Sequence, residues 1–150
     1  MGRIMSAQEE ALSTTSALTA APRTFAEAID VIEETYEFML AYAAQGRRRE
    51  EDDAGAGIRE RLIRAEAALA IISSAKTEEI GAEWQGGDAS SEFFDVVRQD
   101  AARARAAFRF VLAQPAIGSQ IVDNLNASTH VRTLLTDLFL LDEALKISGI

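Results

Sequence analysis

Apolar side chains return along this chain at alternating steps of four and three residues, the repeat of one helical face. Phe25, Ile29, Ile32, Tyr36, Met39 and Ala43 keep that step. So do Ile58, Leu62, Ala65, Leu69 and Ile72, and then Phe94, Val97, Ala101, Ala104, Phe108 and Val111. No segment alternates apolar and polar residues with the period of a strand, and no repeat of helix-pair length stands out. The pattern predicts an all-α fold. Its expected form is a compact bundle of four to five helices over residues 23–150, preceded by a weakly structured segment over 1–22 that is rich in Ala, Ser and Thr.

Local signals place the helix ends. Thr24-Phe25-Ala26-Glu27 reads as a capping box, with the threonine oxygen accepting the Glu27 amide and the glutamate reaching back. Gly46 is a natural stop for the first helix. Val31, Phe38 and Tyr42 form a second apolar strip beside its main one, so this helix is expected to touch more than one neighbour. Residues 47–57 are charged and glycine-punctuated and read as an exposed connection. The second helix weakens after Ile72 on its way toward Ile80 and Trp84, and Gly86-Gly87 ends it. The third breaks at Gln114-Pro115. Pro115 suits the first turn of a short fourth helix, and the last helix spans Val131 to Ile147.

Composition then removes classes of function. A chain of 150 residues fits one domain. It has no cysteine, which excludes disulfides, thiolate metal sites and cysteine nucleophiles. The net charge is −9 and both halves of the chain are acidic, so nucleic acid is not an expected partner. No apolar run approaches the ~20 residues that span a bilayer. No signal-peptide core follows the N-terminus, so a cytoplasmic location is expected.

Glu33-Glu34-Thr35-Tyr36-Glu37 reads Glu-Glu-x-x-Glu on the first helix. It resembles the first half of the metal site of all-α nucleoside triphosphate pyrophosphohydrolases, the MazG-like group. The resemblance implies magnesium held by Glu33, Glu34 and Glu37, with a Glu-x-x-Asp on the next helix completing the site. Glu50-Glu51-Asp52-Asp53 has the right letters but lies in the charged connection. Glu92-Phe93-Phe94-Asp95 opens a helix far downstream of the expected spacing. His130, the single histidine, begins a stretch similar to the phosphoacceptor segment of sensor histidine kinases. One residue is missing before its Arg-Thr pair, which turns the later side chains by about 100°. A ferritin-like di-iron centre needs two Glu-x-x-His pairs, and one histidine cannot supply them.

With no constellation complete, the expected function is that of a non-enzymatic interaction or adaptor protein without a cofactor. Such a protein would self-associate as a homo-oligomer or dock onto another protein. The last helix supplies the expected surface, through Leu134, Leu138, Leu140 and Leu141, because Asp137, Asp142 and Glu143 leave it only a narrow polar strip. Arg98, Arg105 and Arg109 project within about 40° of one another on the third helix. They are expected either to pair with acids such as the Asp30–Glu37 ridge or to receive an acidic partner. The alternative is a magnesium-dependent pyrophosphohydrolase built on Glu33, Glu34 and Glu37.

Overall fold

The computed structural model describes residues 20–50, 57–81 and 87–147. Among them are six helices and no strand: α1 Phe25–Ala43, α2 Ile58–Ser74, α3 Thr77–Gly81, α4 Gly87–Leu112, α5 Ser119–Ala127 and α6 Thr129–Ile147. Most of the expected N-terminal segment lies outside the described residues. Its last part is packed: Pro22 is buried, and Arg64 donates its Nε–H to the Ala20 carbonyl at 2.8 Å.

Side-chain pairs fix the directions of the four long helices. Arg64 meets Glu34 and Arg61 stacks over Phe38, so α2 runs antiparallel to α1. Arg98 reaches Ala75 and Arg105 reaches Glu66, so α4 runs antiparallel to α2. Phe108 and Ala104 meet Val131 and Leu134, which turns α6 antiparallel to α4. The result is an up-down-up-down bundle of α1, α2, α4 and α6. α2 packs extensively on both α1 and α4, whereas α6 leans mainly on α4 and touches α1 lightly. Short α5 packs on the C-terminal half of α1, which therefore has three neighbours, as its wide apolar arc requires.

The stripes read from the sequence form the core. Ile32, Leu69, Val97, Phe108 and Leu138 are buried together, and Tyr36 packs against them half-buried. Ala28, Ala65, Ala68, Ala101 and Ala104 are wholly covered. Such small side chains let helix backbones approach closely where they meet. A gap of about 10 Å³ among Ile32, Tyr36, Leu69, Phe108 and Leu134 has room for one water at most, and none for a ligand.

One cap and some helix boundaries differ from expectation. The Thr24 hydroxyl accepts the Glu27 amide at 3.1 Å, but the Glu27 carboxylate takes the amide of Arg23. α2 stops at Ser74 because Ser73 and Ser74 both donate their hydroxyls back to the Ala70 carbonyl, and Ala75 turns extended. α3 then starts as a separate turn. Pro115 is not in the first turn of α5, which begins at Ser119 behind Gly118.

Gly118 stands where it does for a steric reason. A Cβ there would lie 2.8 Å from the Arg47 carbonyl oxygen and closer still to that of Arg48. Around this contact Ser119 donates its amide to the Arg47 carbonyl, and its hydroxyl accepts the Arg47 amide while donating to the Tyr42 carbonyl. The Tyr42 hydroxyl closes the corner on the Ile117 carbonyl at 2.6 Å. One end of the bundle is latched by these bonds.

Candidate functional site

α6 lies in the groove between α1 and α4, and its stripe Val131, Leu134, Leu135, Leu138 and Leu141 fills that groove. Leu134, Leu138 and Leu141 are 1%, 0% and 2% exposed, so the expected partner surface cannot be built from them. The correction has a simple cause. These residues sit at steps of three and four, a single stripe, and one groove accepts all of it. Leu140 remains, 59% exposed, beside Phe139 at 52%. The side chain of Leu145 is outside the described residues.

Phe110 of α4 is more exposed still, and Val96 of α4 is also open. Both were missed in the sequence because they lie off the α4 stripe and were counted as neither core nor surface feature.

The basic ridge divides. Arg105 donates to Glu66 at 2.6 Å, and Arg98 to Asp95 at 2.6 Å and to the Ala75 carbonyl. Their partners lie on α2, its C-terminal end and α4, not on the Asp30–Glu37 ridge, because α2 stands between α1 and that face of α4. Arg109 is exposed. A docking surface using Arg98 or Arg105 would have to displace these bonds. The arginine that sequence reading overlooked is Arg59. It grips Glu50 through two nitrogens at 2.7–3.2 Å and donates to the Leu112 and Gln114 carbonyls, closing the C-terminal end of α4.

The acidic ridge of α1 is mostly open. Asp30, Glu34 and Glu37 are exposed, and Glu34 reaches Arg64 at 3.8 Å. Glu33 is half-covered and meets Asp142 of α6; burial, then a hydrogen bond with Asp142, holds its carboxyl above the usual range. One carboxylate from another helix thus joins the ridge. Among the described residues, however, no three His, Asp or Glu side chains are grouped to hold a metal ion. Glu50 is engaged with Arg59, and Glu51 to Asp53 lie outside the described residues. His130 is exposed in the first turn of α6.

A second carboxyl pair joins α6 to α4. Asp100 is buried, 8% exposed, and takes a hydrogen bond from Arg103 at 3.2 Å. Asp137 faces it, with an Oδ2 that is shut off from solvent and receives no N–H or O–H. Burial first, and then the hydrogen bond and charge of Asp100, push the Asp137 carboxyl up to about 7.

A broad surface groove of about 950 Å³ opens at the latched end, between the C-terminal turn of α1 and the start of α5. Leu40 and Ile121 give it apolar walls, while Arg47, Arg48 and Asp123 give it charges of both signs. The Arg47 guanidinium lies 5.5 Å from the centre of the Tyr42 ring. No helix among the described residues is long and apolar enough to cross a membrane. Comparison with known proteins finds no matching family model, no matching curated protein and no matching solved structure.

Proposed function

We propose that the protein is a non-enzymatic interaction module that self-associates through the outer face of α6. Docking onto a different protein through the same face is the other form of this reading. The observation that carries it is the adjacent pair Phe139 and Leu140, more than half exposed on a helix whose inner stripe is already fully used. Val96 of α4 is a further exposed apolar side chain. Single exposed apolar residues are ordinary, but neighbouring ones favour contact with another surface. Covering the exposed half of Phe139 and Leu140 contributes roughly 1–1.5 kcal/mol each. A two-fold dimer is the simplest solution, because one patch then serves both copies.

Leu140→Glu tests the reading without touching the core, since the side chain already faces water. Sedimentation at micromolar concentration should give a dimer for the wild type and a monomer for the variant. A wild type that stays monomeric up to about 100 µM, tighter than which a weak self-contact would be seen, and that brings down no partner through this face, overturns it.

A further inference from the structure

Arginine joins α2 to its neighbours, through Arg64–Glu34 toward α1 and Arg105–Glu66 toward α4. The seams of α6 are built differently. Toward α4 they set Asp137 against Asp100, and toward α1 they set Asp142 against Glu33. Two carboxylates have only acceptors to offer each other, so a hydrogen bond between Asp100 and Asp137 requires a proton held between them. Which of the two carries it follows from their surroundings. Asp100 already has a donor in Arg103, while the covered Oδ2 of Asp137 receives none, so the shared proton belongs on Asp137.

We propose that Asp100 and Asp137 form a proton-operated clasp between α4 and α6: with a proton on Asp137, α6 is docked, and when that proton leaves, α6 loosens and bares the leucine stripe beneath it. The charged groups around the clasp do not cancel the effect. From α4 there is Arg103, whose side chain is 60% exposed and already engaged with Asp100. On α6 itself Arg132 lines the same surface hollow as Asp137, one to two turns away. The α1 side presents Glu33 against Asp142, with Asp30 and Glu37 close by, all acidic.

The direction with pH follows from linkage. Asp137 has its carboxyl raised from the ordinary 3.8 to about 7 in the folded protein. The docked state therefore binds the proton more tightly than the loosened state. Its contribution is fully present below about pH 4 and is lost as pH rises from there through about 7. The clasp is independent of whether the outer face of α6 has a partner.

The absence of native cysteine allows a local test. Ala104 is wholly covered beneath α6, one turn from Asp100, and Ala68 on α2 is equally covered. Ala104→Cys and Ala68→Cys, each with a single thiol, are reacted with a thiol reagent between pH 5.5 and 8. Taking the ratio of the two rates removes the ionisation of the thiol itself. The ratio should rise by about tenfold or more across this range, as expected for one proton released on opening. Asp137→Asn keeps a donor toward Asp100 without a titrating proton and should flatten the rise, holding the ratio near its acid value. Asp137→Ala should raise the ratio at every pH. If either cysteine variant fails to fold, the urea midpoint of the cysteine-free protein takes its place. It should fall from pH 5.5 to 8 in the wild type and much less in Asp137→Asn. A ratio or midpoint independent of pH in the wild type overturns the clasp. So does an Asp137→Asn variant that keeps the wild-type slope.

Discussion

The hydroxyl of Tyr42 is buried and donates to the carbonyl of Ile117, 75 residues further along the chain. Its ring belongs to the second apolar strip of α1 and was legible as such, because helical periodicity places a ring without reference to anything distant. The hydroxyl's partner was not legible. It depends on where the loop before α5 returns, and the sequence marks that place only by Gly118, whose missing side chain admits the Arg47 and Arg48 carbonyls. Tyr42→Phe keeps the ring and removes the donor, leaving a buried carbonyl unpaired. The expected loss is about 1–3 kcal/mol in urea unfolding. Because the cost lies in one bond and not in packing, the steepness of the transition should be unchanged.

At the scale of the helix, Arg59 does two things at once. It opens the first turn of α2, and through the Leu112 and Gln114 carbonyls it satisfies acceptors that the end of α4 leaves without helical partners. Arg59→Ala should lower stability by about 1–3 kcal/mol, read as a shift of the urea midpoint. Arg59→Lys should recover only part of this, because an ammonium cannot reproduce the planar fork on Glu50. The stripes of α1, α2 and α4 were readable because a 3.6-residue turn and a one-sided core leave little choice. The last helix was misjudged for a reason of the same kind. Its leucines look as if they point in nearly every direction, yet five apolar positions from Val131 to Leu141 are one stripe, and only Phe139 and Leu140 depart from it. How many leucines a helix can hide depends on how many neighbours flank it, and the order of helices around the bundle is not written in any one segment. The acid pairs at the α6 seams were missed for the same reason: Asp100 and Asp137 are ordinary polar interruptions until α4 and α6 are laid side by side.

Over the whole molecule the formal charge is −9, and the acidic ridge of α1 is the obvious place to look for a cation. The geometry argues for a different consequence. Glu33 is partly covered and faces Asp142, with Asp30 and Glu37 adding repulsion, so its ionised form is disfavoured in the folded chain. Glutamine at this position stays neutral. Replacing Glu33 and Glu37 together by Gln should therefore leave stability unchanged or raise it at pH 7–8, where a carboxylate would be ionised in the unfolded chain. A working magnesium site predicts the opposite pattern. With a Kd of about 0.1 mM, magnesium at about 10 mM would add about 2.7 kcal/mol to the folded state. For a domain of this size that raises Tm by on the order of 8 °C. Thermal unfolding with and without magnesium separates the two. The expected shift is below about 1 °C, the size of ordinary ionic screening, for the wild type and the double variant alike. A rise of several degrees in the wild type, abolished by Glu33→Gln with Glu37→Gln, would instead mean that the ridge gathers its cation from solution, and would move the protein toward the pyrophosphohydrolase reading.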